Sequence, residues 1–213
     1  MTALRTIAVL AIALLAMPAW SQVENEDYQV LSPAQKPTTP GKIEVIEFFS
    51  YACPHCYRMQ PLISEWAKAL PANAVLVKVP VSFGRRDWGM LSRAYYALEA
   101  TGDLQRLDDA LFDAIHKEQR PMFDEDHLAT WAAEHGVDAE RFRAEFNSFA
   151  VTTKASHAEQ MSRSYQVSGV PHLTVDGKYS VLGNTYQDML KNARKLIDKA
   201  AAQGGGSGSG ARN

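Results

Sequence analysis

Cysteine is nearly absent from this chain: its 213 residues include two, Cys53 and Cys56, three positions apart. So few exclude a scaffold stapled by several disulfides. With no second pair, a four-ligand zinc site cannot be completed even if His172 supplied a third ligand, so no metal is expected. Apolar runs long enough to span a bilayer are also missing. The longest, Ile7 to Met17, covers about 11 residues where roughly 20 are needed. Basic residues are not in excess, 22 Lys and Arg standing against 24 Asp and Glu, so nothing points to nucleic acid. Internal repeats are absent.

What is present begins with a targeting segment. Arg5 precedes the apolar run, helix-breaking Pro18 follows it, and small residues at Ala19 and Ser21 suit signal-peptidase cleavage after Ser21. Residues 1–21 are therefore expected to be a signal peptide on an exported protein. Cleavage leaves 192 residues, with 21 Lys and Arg against 24 Asp and Glu and a formal charge of −3. That is enough chain for one domain enlarged by an insertion. Exported proteins ordinarily use cysteines as staples, but closing a four-residue ring is worth about 2 kcal/mol against about 3 for fifteen residues. Reactivity explains this pair better than stability does.

Residues 23–41 are polar, with Pro33, Pro37 and Pro40, and read as an extended, loosely ordered lead-in, too short for a dimerisation module. The branched and aromatic run Ile43 to Phe49 predicts a buried strand, followed by a turn at Ser50-Tyr51-Ala52 and a helix over Cys56 to Leu70. A second strand, Val75 to Val81, closes a right-handed β-α-β unit with parallel strands. Between Arg86 and Val167 helical spacing takes over, with helix ends at Gly102 and Gly136 and N-caps at Asp124 and Asp138. Its apolar stripes (Trp88, Leu91, Tyr95, Leu98; Leu128, Trp131; Phe142, Phe146, Phe149) predict core. Strands return at His172 to Val175 and Lys178 to Val181, joined by the hairpin signal Asp176-Gly177. A terminal helix over Gln187 to Ala202 precedes a flexible Gly/Ser tail.

The chemistry is carried by Cys53-Pro54-His55-Cys56. With Cys53 at a helix N-cap, its sulfur faces the unpaired N–H groups and positive dipole end of the first turn, which favour a thiolate. Pro54 then falls at the first helical position, where proline is preferred. Cys56, one turn further in, is covered and closer to an ordinary thiol. Exchange requires an accessible thiolate and a second thiol to resolve the mixed disulfide, so Cys53 is predicted to exchange and Cys56 to resolve. A protonated or hydrogen-bonding His55 would favour the Cys53 thiolate further; the alternative is an exposed loop residue without influence.

The run Glu47-Phe48-Phe49-Ser50-Tyr51-Ala52-Cys53-Pro54-His55-Cys56-Tyr57 closely resembles the active-site segment of the DsbA family, periplasmic dithiol oxidases of thioredoxin-like fold. Gly169-Val170-Pro171, followed by a strand and a hairpin, resembles the cis-proline loop facing the disulfide in that superfamily, where Val170's backbone would pair with an extended substrate. Sequence alone leaves open an ordinary trans proline opening a strand. Glu47 and Lys78, charged residues in otherwise apolar strands, would be costly unpaired. The resemblance places them beneath the active site as proton-balancing groups; a purely structural ion pair is the alternative.

The resemblance implies an α/β architecture: a thioredoxin-like domain over 22–84 and 168–202, an inserted all-helical domain over 85–167, and a flexible tail over 203–213. It implies a monomer without bound cofactor that oxidises reduced, unfolded exported proteins in the periplasm and is reoxidised by a DsbB-type quinone-linked membrane oxidase. Two residues depart from the pattern. Pro61 should kink the first helix, making it similar to thioredoxin's own helix, and His172 is ionisable where a small or apolar residue is expected, so it could tune the pair or bias substrate choice. An isomerase or reductase would use the same exchange step. A binding module would keep the cysteines only as a clip.

Overall fold

The computed structural model describes residues 22–204. The expected signal peptide and the tail beyond Gly204 lie outside the described residues. No helix among those residues is long and apolar enough to cross a membrane.

Twelve elements follow in order: β1 (Tyr28–Val30), β2 (Ile43–Phe49), α1 (Pro54–Lys68), β3 (Ala74–Pro80), α2 (Arg86–Thr101), α3 (Leu104–His116), α4 (Glu125–Glu134), α5 (Ala139–Phe146), α6 (Phe149–Ser164), β4 (His172–Val175), β5 (Tyr179–Val181) and α7 (Tyr186–Ala202). The strands form one sheet in the order β1-β5-β4-β2-β3. β2 and β3 are parallel, as a crossover through α1 requires, whereas β4 runs antiparallel to both β2 and β5. This is a thioredoxin-like fold in which five helices, α2 to α6, are inserted between β3 and β4.

β2 is buried along its whole length because it has helices on both faces. Ile43 and Val45 pack with Leu173, Met59 and Ile63 of α1 and Leu196 and Ile197 of α7. Ile46 and Phe48 belong to a second cluster with Leu91, Phe112, Trp131, Phe142 and Phe146 from the inserted helices. Each such apolar side chain stabilises by about 1.5–3 kcal/mol. β2 also buries two carboxylates, and their surroundings differ. Glu44 accepts from the amides and hydroxyls of Thr38 and Thr39 at 2.6–3.2 Å. Glu47 has no hydrogen-bond partner among the described residues.

Helix boundaries follow local chemistry. Asp124 and Asp138 cap α4 and α5 by accepting from His127 N and Arg141 N, and Gly102 ends α2 in the left-handed region at φ 85°. Asp176 and Gly177 both take positive φ, as a tight hairpin turn requires. α1 is continuous through Pro61.

Two expectations are corrected. The lead-in is not loose: Tyr28–Val30 pairs antiparallel with β5, Leu31 is buried, and Gln35 N–H donates to Gly177 O at 2.7 Å. A three-residue strand ahead of the prolines is too short for period-two alternation to register, and its partner lies about 150 residues away. Phe149 is not core but 86 % exposed. Ser148 caps a new helix there, accepting from Val151 N, so the apolar stripe of α5 does not carry over into α6.

Candidate active site

The end of β2 delivers the chain through the turn Ser50-Tyr51-Ala52 to Cys53, the N-cap of α1, in an extended conformation (φ −86°, ψ 117°). Pro54 opens the helix. Neither cysteine is bridged. Cys56 is fully buried and Cys53 is 6 % exposed, so the sulfur expected to be accessible is more covered than the motif suggests, though less so than its partner. What covers Cys53 is the loop before β4: its Sγ lies 3.4 Å from the carbonyl oxygen of Val170. The Val170-Pro171 peptide bond is cis.

The two thiols are driven in opposite directions. A hydrogen bond from Cys56 is the largest influence on Cys53; burial opposes it, and the backbone N–H groups of Cys56 and His55, then the His55 charge, add to it. The result is a Cys53 thiol brought down from 9.0 to about 5. Burial is the main cause pushing the Cys56 thiol far above its ordinary range, helped by its bond to Cys53 and, last, by the charge of Glu47.

His55 is exposed, and its Nδ1 lies 3.0 Å from both the Tyr186 hydroxyl and the Arg58 guanidinium. Since a guanidinium only donates, Nδ1 accepts from Arg58 in this arrangement. His55 therefore acts on Cys53 more through its backbone amide than through its ring.

Beneath the pair, Glu47 and Lys78 are adjacent in the β2–β3 register. Lys78 Nζ is 3.9 Å from Glu47 Oε2 but 2.6 Å from Asp108 Oδ2 and 2.8 Å from Gln60 Oε1. Burial dominates at Glu47 and lifts its carboxyl from 4.5 to about 7; Lys78 pulls the other way and Asp108 adds a smaller rise. His172 opens β4, opposite Phe48 of β2 in register. It contacts Ser180 Oγ at 3.1 Å and the Phe48 ring, and burial holds its imidazole down at about 4, hence neutral. Among the described residues, no group of three or more His, Cys, Asp or Glu could hold a metal.

Several residues at the site escape sequence reasoning. Asp108 binds the Tyr51 hydroxyl at 2.6 Å, and His116 Nε2 donates to Tyr51 O at 2.6 Å, so α3 grips the turn that presents Cys53. The available signal was an acid four positions before Phe112, on the side of α3 that also carries Leu107 and Leu111. Arg58 and Tyr186 left no such trace.

A dithiol at a helix N-terminus, opposite a cis-proline loop on a thioredoxin-like sheet, defines a thiol:disulfide oxidoreductase of the thioredoxin superfamily. The comparisons narrow this further. A family profile described as DSBA-like thioredoxin domain matches residues 44–195. The thiol:disulfide interchange protein DsbA of Bordetella pertussis is 38% identical over 204 residues, covering 92% of this chain and 95% of its own. That of Pseudomonas aeruginosa is 37% identical over 201 residues, with the same coverage. The crystal structure of Pseudomonas aeruginosa DsbA superposes with a TM-score of 0.80 at 37% identity, covering 84% of this chain and 94% of that one. The oxidoreductase DsbA from Xylella fastidiosa does so at 0.80 and 33%, covering 85% and 98%. The chain belongs to the DsbA family and is a thiol:disulfide oxidoreductase.

Proposed function

We propose that this protein is a periplasmic dithiol oxidase that passes its Cys53-Cys56 disulfide to reduced, unfolded exported proteins. A substrate thiolate attacks Cys53 Sγ, the Cys53-Cys56 bond breaks, and Cys56 leaves as a thiolate that takes a proton from Glu47. A second substrate thiolate then attacks the substrate sulfur of the mixed disulfide and releases Cys53 as a thiolate. The substrate has lost two electrons and the pair has gained them. Val170 offers its backbone to the extended substrate beside Pro171. The enzyme works as a monomer without a bound cofactor, reaches the periplasm through residues 1–21, and is reoxidised by a DsbB-type quinone-linked membrane oxidase.

The observation carrying this reading is the opposition of the two thiols, with Cys53 near 5 and Cys56 far above the usual range. At pH 7 a thiol lowered from 9.0 to about 5 stabilises the reduced state by about 3 kcal/mol, which for two electrons is ~60 mV towards the oxidising side. Equilibration with glutathione tests the direction of exchange. The expected potential lies well to the oxidising side of thioredoxin's about −270 mV; a value as reducing as that would overturn net oxidation. In single variants, Cys53→Ser abolishes exchange, and Cys56→Ala traps the substrate as a mixed disulfide on Cys53.

A further inference from the structure

Glu47 has a cation within reach but not bonded to it. Lys78 Nζ, the cation beside it in register, stands 3.9 Å away, beyond any N–H···O bond. The Lys78 ammonium instead donates to Asp108 Oδ2 at 2.6 Å and Gln60 Oε1 at 2.8 Å, and lies over the Phe49 ring at 4.5 Å. Asp108 is correspondingly well served: Tyr51 donates its hydroxyl to Oδ1 at 2.6 Å, and Gln60 Nε2 reaches Oδ2 at 3.1 Å. Of two acids competing for one lysine, the less buried one holds it, and the fully buried one has no hydrogen-bond donor among the described residues.

We propose that Asp108, contributed by inserted helix α3, is a positioning residue for the exchange reaction: by holding Lys78 it keeps Glu47 a neutral acid able to hand its proton to Cys56. The inference rests on the reading of Glu47 as the proton partner of Cys56. The step moves one proton and no electrons: the Cys56 thiolate and the Glu47 carboxylic acid become the Cys56 thiol and the Glu47 carboxylate, and reoxidation reverses it. A Glu47 salt-bridged to Lys78 would be ionised beforehand and have no proton to give. Lys78 of β3 and Asp108 of α3 act on Glu47, and the Glu47 charge in turn acts on Cys56 of α1, Tyr51 of the active-site turn and Tyr95 of α2. Gln60 extends the Lys78–Asp108 cluster to Asp109, which accepts from Gln60 Nε2 at 2.8 Å and lines a groove of about 370 Å³ beside α1.

The test is the titration of Glu47 in the reduced full chain, followed by carboxyl-carbon NMR with glutamate labelling and assigned through Glu47→Gln. In Asp108→Asn, Lys78 is free to bond Glu47, and the Glu47 midpoint should fall by a pH unit or more. The rate of mixed-disulfide formation with a peptide thiol at pH 7 should then drop up to tenfold for each unit. Asp108→Ala, which frees Lys78 equally, provides a second variant should the first disturb the fold. In the Lys78→Met background the Asp108 effect should vanish. An unchanged Glu47 midpoint in Asp108→Asn, or the same fall with Lys78 removed, overturns the proposal; the latter would mean direct repulsion between two carboxylates. If Glu47→Gln leaves the pH profile of exchange unaltered, the underlying proton-partner reading fails instead, and the NMR midpoint still reports whether Asp108 holds Lys78.

Discussion

Cys53 Sγ sits 3.4 Å from the backbone carbonyl of Val170, a residue 117 positions further along the chain. The Cys53 sulfur is thus framed by separate parts of the sequence: the first turn of α1, which it caps, and the loop before β4.

The first prediction concerns the charge of that sulfur. Its thiol is depressed below the ordinary value, so the thiolate is present above about pH 5 and is lost as pH falls through it. Cys56 is raised and keeps its proton throughout. One proton therefore accompanies two electrons above pH 5, and the potential should fall by about 30 mV per pH unit, steepening to about 60 below pH 5. Thiolate absorbance in the ultraviolet should show one transition near pH 5, absent in Cys53→Ser. A midpoint near 9 would remove the physical basis for a strong oxidant.

His116 ties the inserted helices to the active-site turn through its bond to Tyr51 O and its stacking on Tyr57, with ring centroids 4.8 Å apart. His116→Leu leaves that carbonyl without its donor and should cost about 1–2 kcal/mol, or ~2–8 °C in Tm for a chain of this size. Urea and thermal unfolding read the loss directly; an unchanged midpoint would mean that the turn is held elsewhere.

Neighbouring phenylalanines should behave in opposite ways. Phe146 is fully buried, and Phe146→Ala should cost about 3–5 kcal/mol. Phe149 is exposed, and Phe149→Ser should stay within about 0.5 kcal/mol of the parent. Comparable losses from both would contradict the helix break at Ser148.

Gly177 is the point where the hairpin meets the lead-in. A Cβ there would come within 2.0 Å of Gln35 O, and the residue has φ +64°. Gly177→Ala should cost more than about 1 kcal/mol and detach the lead-in. Faster hydrogen exchange at the Gln35 and Leu31 amides, which donate to Gly177 O and Lys178 O, is the expected signature.

The legible parts of this protein are those written locally. β2 announces itself as an apolar run, Cys53 and Pro54 as a cap and a first helical position, and Asp176-Gly177 as a turn, because each depends on a few adjacent residues. Glu47 could be flagged as a buried acid from its place in the strand, but its treatment could not: whether Lys78 serves it or Asp108, thirty residues beyond Lys78, depends on where α3 comes to rest. β1 escaped because a strand of three residues is defined by its partner rather than its pattern. Phe149 was misassigned because periodicity carries a stripe through a helix break that only Ser148's capping bond reveals. His172 shows the reverse case, an ionisable residue conspicuous in sequence that burial renders neutral.

The distance in sequence between Cys53 and Val170 has a consequence for how the enzyme matures. A chain appears from its N-terminus, so the motif exists long before the loop that frames it. Any product ending short of residue 170 would carry both cysteines yet lack the surface that covers and orients them. The covered and oriented form of Cys53 is therefore a late property, acquired when the last fifth of the polypeptide docks beside it.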